Sequence, residues 1–289
     1  MRDKVLVTGA LGFIGSNLCN ALREEYDVFM CDEKVGVGVW KSDEIEHLLD
    51  KVECVFHLGA ISSTTETNTE KIVKNNILFS CFLLEKCIEK NIPFVYASSA
   101  SVYGLGDKGF VETSDLTPLN YYAASKSTLD TIAKQKIKDN PSSKIVGLRY
   151  FNVYGVGEAH KGDMASPVHK FLRQANITNV IKVFVGSENF KRDFVHVDDI
   201  VKITKAAKDF PSGIYNAGTG HPRSFMDVAK IVAGLTGAEI KEVAFPDHLV
   251  GKYQEYTCSD NTNINSLGYP VERIPLEKGI EIVYKSCLS

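Results

Sequence analysis

Three side chains in this sequence have the types and spacing to move a proton at a reacting oxygen. Pro93 to Ser99 reads Pro-Phe-Val-Tyr-Ala-Ser-Ser, an apolar strand ending in hydroxyls. Tyr122 and Lys126 follow in Asn120-Tyr121-Tyr122-Ala123-Ala124-Ser125-Lys126. Residues four apart share one helix face. An ammonium beside a phenol favours the phenolate, so the Tyr122 pKa is expected below its usual value of about 10. Tyr122 is then the acid or base, and Ser99 the hydrogen-bonding partner of the reacting oxygen.

Such a set needs an oxidant beside it, and the N-terminus supplies the place for one. The apolar run Val5-Leu6-Val7-Thr8 leads into Gly9, Gly12 and Gly15, and an apolar helical pattern follows. Strand, glycine turn and helix form a dinucleotide fingerprint. Gly9 permits the sharp exit, Gly12 the approach of a pyrophosphate, and Gly15 close helix packing. Leu11, Phe13 and Ile14 complete the turn, whose helix start presents free N–H groups to phosphate. Asp32 and Glu33 end the next strand, where an acid accepts from ribose hydroxyls. Two carboxylates repel a 2′-phosphate, which favours tightly bound NAD. NADP stays as the alternative, through Lys34 or Lys41. Leu58, Gly59 and Ala60 end the following strand and let a ribose approach the backbone. Ser62 opens the polar loop Ser62–Glu66 at the same sheet edge. Asn75 and Asn76 interrupt a helix expected from Thr69 to Lys90. Asn disfavours helix interiors, so one of them is expected to brace a neighbouring loop. His57, inside an apolar strand, reads as a core histidine.

These motifs require a parallel sheet between helices. The expected fold class is α/β, a Rossmann doubly wound parallel sheet with a smaller C-terminal α/β lobe. Residues 1–160 form the dinucleotide half and 161–289 mainly the substrate lobe, with some elements returning to the sheet. Helices are expected at Ser42–Asp50, with Ser42 as cap, at Tyr121–Asp139, Ser224–Leu235 and Glu277–Cys287, and a strand at Ile240–Phe245. Asp198 reads as a helix cap. The 289 residues carry a net charge of −3, so no basic field calls for nucleic acid or an anionic membrane. No apolar run reaches the roughly 18 residues of a membrane helix. Seven scattered cysteines, without C-x-x-C or metal-ligand spacing, argue against a metal and for a reducing, cytoplasmic setting.

The chain resembles the extended short-chain dehydrogenase/reductase family of nucleotide-sugar enzymes. The resemblance rests on the glycine turn, Ser99, Tyr122 and Lys126, and Leu148-Arg149-Tyr150-Phe151-Asn152-Val153-Tyr154-Gly155. Within it, the chain looks like the branch acting on nucleotide-linked heptoses. Ser62–Glu66, His160–Ser166, Gly186–Val195, Phe245–Asp247 and Gly251–Gln254 carry that likeness. The resemblance implies inversion at C6 of an ADP-linked glycero-manno-heptose through a transient 6-keto sugar, for lipopolysaccharide heptose supply. It implies Tyr122 and Lys161 as the acid/base pair. Lys126, Asn75 and Val153 go to the cofactor, and Ser63, Asn152, Asp163, Phe184, Gly186, Ser187, Arg192 and Tyr253 to the nucleotide-diphosphate-sugar. Arg192 suits a diphosphate clamp, because guanidinium meets phosphate bidentately. Asp163 stands where a Ser is familiar. The expected substrate-site His is His169, although Lys170 holds the nominal place. Fold analogy implies a homo-oligomer through the Thr69–Lys90 and Tyr121–Asp139 helices.

Competing activities leave different traces. A sugar dehydratase needs an Asp-Glu pair after the strand-end hydroxyl, where this chain has Ala100 and Ser101. An epimerase or reductase acting on another activated sugar, such as a GDP-linked heptose, keeps the same motifs. A dinucleotide-sensing regulator could dispense with Tyr122 and Lys126, and both are present.

Overall fold

The computed structural model describes residues 2–33, 42–106, 109–246, 254–268 and 272–288. In chain order, β1 (Lys4–Thr8), α1 (Phe13–Leu22), β2 (Asp27–Cys31), α2 (Ser42–Leu49) and β3 (Cys54–His57) come first. Next are α3 (Thr69–Ile72), a π-helical turn at Val73–Leu78, α4 (Phe79–Glu89), β4 (Phe94–Ser99) and α5 (Tyr121–Asp139). Then follow β5 (Ile145–Tyr150), β6 (Asn152–Tyr154), α6 (Pro167–Thr178), β7 (Val180–Phe184), β8 (Lys191–Arg192) and β9 (Phe194–His196). The chain ends with α7 (Val197–Ala206), β10 (Gly213–Ala217), β11 (Arg223–Ser224), α8 (Phe225–Thr236), β12 (Glu239–Val243), α9 (Thr262–Ser266) and α10 (Leu276–Leu288).

Six strands form one parallel sheet in the order β10-β5-β4-β3-β1-β2. A parallel sheet covered on both faces selects continuous apolar strands rather than alternating ones. Val5, Leu6 and Val7 accordingly have no exposed surface. One face packs on α1 and α7 through Leu18, Leu22, Ile200 and Ile203. The other packs on α2, α4 and α5 through Leu49, Leu83, Leu84 and Leu129. A separate apolar cluster joins α6, α8 and α10 to the parallel pair β7–β12. Residues 197–217 nevertheless return to the large sheet, because α7 covers it and β10 forms its edge.

Several local expectations change. The helix expected over Thr69–Lys90 contains a π turn, and its two asparagines lie in it. Asn76 is fully buried and clasps Ile61, accepting from its N–H at 2.7 Å and donating to its C=O at 3.0 Å. It also donates to Ser125 Oγ at 2.9 Å. The cap of α7 is His196, not Asp198: its Nδ1 accepts from the Asp198 N–H at 3.2 Å. Asp198 instead lies in the first turn, where a negative charge suits the helix dipole. The Ser42 side chain and residues 34–41 lie outside the described residues. His57 is a core residue, between Thr8 Oγ1 and Ser80 Oγ at 2.7 Å each. Burial pulls its pKa down to about 3.

A charged network crosses the core beneath the carboxyl ends of the strands. Arg149 Nε donates to Asp130 Oδ2 at 2.8 Å, and both side chains are fully buried. Tyr96 donates to the other Asp130 oxygen at 3.0 Å. Arg149 Nη1 donates to Tyr103, which donates to Asn216 at 2.7 Å. Removing one partner of a buried pair strands the other charge. Asp130→Ala is therefore expected to cost about 3–5 kcal/mol, read as a lower midpoint in urea unfolding. A midpoint equal to that of the parent would show that the pair adds no stability.

Candidate active site

The β1–α1 turn is shaped by how closely three backbone segments meet. Gly9 has φ of +67°, and a Cβ there would lie 2.7 Å from the Gly59 backbone. A Cβ on Gly15 would lie 2.0 Å from the Gly9 carbonyl oxygen. No side chain caps α1, and its first turn holds no acidic residue. The uncapped N–H groups and the dipole end thus face the cavity, which suits a diphosphate. Asp32 lines the same cavity and is held by the Leu11 N–H at 3.0 Å. Leu11 contributes this backbone contact and does not itself line the cavity. These residues fit a dinucleotide, with the phosphates at Gly12 to Gly15 and a ribose at Asp32.

The cavity, about 780 Å³, runs along the carboxyl ends of β1, β2, β3, β4 and β5. It is lined by Gly9, Gly12, Phe13, Ile14, Gly15, Asp32 and Glu33 from the first half of the sheet. Leu58, Gly59, Ala60, Ser62 and Asn75 follow, then Ser99, Tyr122, Lys126, Asn152 and Val153, and finally Lys161, Asp163 and Arg192. Residues far apart in sequence therefore share one cleft.

At its centre, Asn120 caps α5 by accepting from the Ala123 N–H at 2.9 Å, so Tyr122 falls in the first turn. Ser99 ends β4, and its oxygen accepts from the Ser101 N–H at 3.2 Å and the Ser101 hydroxyl at 2.9 Å. Its own proton is left to donate, and it hydrogen-bonds Tyr122. The expected lowering of the phenol pKa is not found. Burial raises it, and the Ser99 hydrogen bond only opposes that. The reason lies in Lys126, which is 3% exposed and donates to the Ala97 carbonyl at 2.7 Å. Burial pulls Lys126 down to about 8 against the pull of Asp130.

Lys161 lines the same cavity from a short 3₁₀ turn at Ala159–Met164. Its ammonium lies 5.1 Å from the Phe13 ring centroid and 4.0 Å from Glu158. Burial lowers its pKa, Glu158 opposes this, and Lys170 adds to it. Arg192, 5% exposed, stacks over Phe225 at 5.5 Å. It donates to the Lys191 carbonyl at 3.0 Å and to that of Gln254.

The structure does not bring every expected residue to the cleft. Among the described residues, the lining includes Lys170 and not His169. His169 uses its backbone N–H in the Ser166 cap of α6, and the next residue faces the cavity. Phe184, Gly186 and Ser187 also lie away from it. Phe184 packs on Phe245 at 5.3 Å, and Ser187 is buried. Ser63 turns to Thr65 at 3.0 Å. Tyr253 lies outside the described residues. Lys170, which holds the nominal place of the expected His, is the one that lines the cleft, and Glu158, Asp130 and Asp193 were not singled out by the sequence. Asp193 is fully buried and accepts from the Thr219, Gly220 and Ser259 N–H groups at 2.7–2.9 Å, which fixes the strand carrying Arg192. In sequence Asp193 is one more charged residue after Lys191 and Arg192, and nothing there marks it as buried. Among the described residues no His, Cys, Asp and Glu cluster could hold a metal.

A parallel sheet with a glycine turn, a strand-end Ser and a Tyr–Lys helix defines a dinucleotide-dependent enzyme. The chain belongs to the NAD dependent epimerase/dehydratase family, whose model matches residues 5–218. Two relatives are named ADP-L-glycero-D-manno-heptose-6-epimerase. The one from Brachyspira hyodysenteriae is 39% identical over 96% of this chain and 95% of its own length. The one from Alkalilimnicola ehrlichii is 40% identical over the same shares. The crystal structure of the Helicobacter pylori enzyme of that name superimposes with a TM-score of 0.86 at 27% identity, over 100% of this chain and 97% of the other.

Asp32→Ala removes the carboxylate that lines the cavity where a ribose would fit. Hydrogen bonds to a charged group contribute about 1.5–3 kcal/mol, so calorimetry on nucleotide-stripped protein should show NAD binding weakened by about ten- to a hundredfold. Unchanged affinity would place the ribose elsewhere.

Proposed function

We propose that this chain inverts C6 of an ADP-linked glycero-manno-heptose through a transient 6-keto sugar. One observation carries the mechanism: Tyr122 and Lys161, on different elements, both line the same cavity. The two named relatives, near 40% identity over almost the whole chain, support the substrate.

Inversion removes hydride from one face of C6 and returns it to the other. When bound, NAD accepts that hydride and gives it back, so no net oxidation results. The sugar tip must turn between the two events, and its oxygen then meets a different proton partner in each orientation. Tyr122, kept protonated by burial, suits the donor that protonates the oxygen as the ketone is reduced. Lys161, with its pKa lowered by burial, suits the base that takes the C6 hydroxyl proton. Ser99 orients the oxygen at the Tyr122 end. One turnover leaves Lys161 protonated and Tyr122 deprotonated, so a proton must pass back before the next turnover in the same direction. The reverse reaction begins from that exchanged state, as an enzyme acting in both directions requires.

The remaining lining fits the rest of the substrate. Arg192 and Lys170 offer positive charge to a diphosphate, and Asn152 presents an amide at the start of β6. All seven cysteines are free, which supports a reducing, cytoplasmic setting. The exposed Leu78 and Tyr121, at 55% and 53%, support self-association through the helices that bear them.

Tyr122→Phe and Lys161→Met should each lower kcat by about 10²–10⁴, the range for losing a general acid or base, with KM little changed. Proton NMR of the two epimers reads the rate. In the direction in which Lys161 is the base, kcat should fall as pH falls through the lysine pKa, because only the neutral amine accepts a proton. Steady accumulation of NADH in step with turnover would reject the epimerase reading.

A further inference from the structure

We infer that Glu158 is a positioning residue, which clasps both ends of the loop carrying Lys161 and fixes where its amine stands. The inference rests on the reading of Lys161 as an acid/base group and concerns what holds it there.

The loop from Gly155 to Ser166 brings His160, Lys161, Asp163 and Met164 to the cleft. No residue of its 3₁₀ turn, Ala159 to Met164, is fully buried, Lys161 being half-buried, and the turn is kinked at Gly162, whose φ is +53°. It therefore has little core of its own to hold it in one conformation. Glu158, just before that turn, is 1% exposed. Its Oε1 accepts from the Gly155 N–H at 3.1 Å, where the loop leaves β6. Oε1 also accepts from the Ser166 hydroxyl at 2.7 Å, and Oε2 from the Ser166 N–H at 2.7 Å. Ser166 is the cap of α6, so one carboxylate ties the exit of β6 to the start of the next helix. The Lys161 ammonium lies 4.0 Å from Oε2.

A carboxylate with three donors is poorly replaced. The amide of Gln can keep the two contacts to one oxygen, but its NH₂ then faces the Ser166 N–H, donor against donor. Asp keeps the charge but is one methylene too short to reach both ends. The charged groups facing Lys161 are Glu158 on its own loop and Lys170 on α6, and Phe13 from α1 supplies a ring face. His160 and Asp163 share the loop. Glu158 favours the ammonium, so its removal should move the lysine further down. Lys170 acts in the same direction and stays in place.

Two readouts separate this inference from the reading it rests on. The first is the pH dependence of acetic anhydride labelling of Lys161, followed by peptide mass spectrometry in the NAD-loaded protein. In Glu158→Gln the labelling curve should move to lower pH, and an unmoved curve overturns the inference. The second is turnover. Displacing a reacting group by about 1 Å costs on the order of a hundredfold, so Glu158→Gln and Glu158→Asp should each lose at least about tenfold in kcat with KM little changed. If the Gln variant fails to fold by thermal unfolding, the Asp variant decides. Parent-like kcat in a folded Glu158→Asp overturns the inference. Lys161→Met, assayed alongside, reports on the underlying reading: full kcat there rejects Lys161 as an acid/base group, while the labelling curve still decides what Glu158 does to its amine.

Discussion

The backbone contact among Gly9, Gly15 and Gly59 is the constraint on which the rest of the molecule depends. β1, α1 and the end of β3 meet there with no side chain between them. Any Cβ at Gly9 or Gly15 would overlap backbone, and backbone cannot move aside as a flexible side chain can. This close approach aims the N-terminus of α1 along the carboxyl edge of the sheet. The proposed places for a diphosphate at Gly12 to Gly15 and a ribose at Asp32, and the backbone at Gly59 and Ala60 that lines the cleft, depend on that one geometry. Asn76 extends the constraint, since its grip on Ile61 holds the loop that follows β3.

A second layer of order comes from buried charge. Lys126 feels the charge of Asp130, which pairs with Arg149, which reaches Tyr103 and, through it, Asn216. Such a network costs desolvation, and it does so directly under the reacting groups. Its return is geometric, because charged groups paired and hydrogen-bonded in low dielectric have few alternative arrangements. Asp193 plays the matching part in the other half. Its hydrogen bonds gather the segments at Thr219 and Ser259 around the strand that carries Arg192. The cleft is thus lined by residues tied to both polar clusters and by the loop that carries Lys161.

Electrostatics at the cleft separate the two proposed proton carriers. Burial acts on both, but it disfavours whichever form is charged, so it raises a phenol and lowers an amine. Tyr122 is therefore kept as an acid and Lys161 is moved towards a base by the same physical cause. A lysine four residues after a tyrosine does not override this, because the Lys126 ammonium is committed to a backbone carbonyl.

The sequence by itself determined the parallel sheet, the glycine turn and the Ser, Tyr and Lys positions. These are local matters: strand and helix periodicity, glycine where no Cβ fits, and four-residue spacing on one helix face. The family was legible for the same reason, since its motifs are short runs of adjacent residues. Tertiary structure alone decided which residues meet. Lys170 rather than His169 faces the cavity because the Ser166 cap sets the rotation of α6, and a one-residue error there turns the face by about 100°. Phe184 to Ser187 lie off the cleft because Phe184 packs on Phe245, a contact between distant segments. The direction of the Tyr122 shift depended on burial, which no spacing records. Asp130, Glu158 and Asp193 read in sequence as ordinary acids. Only the packed chain shows that each is buried and bonded, Asp130 and Asp193 to groups far along the chain and Glu158 to both ends of its own loop, because burial exists only once the chain has folded.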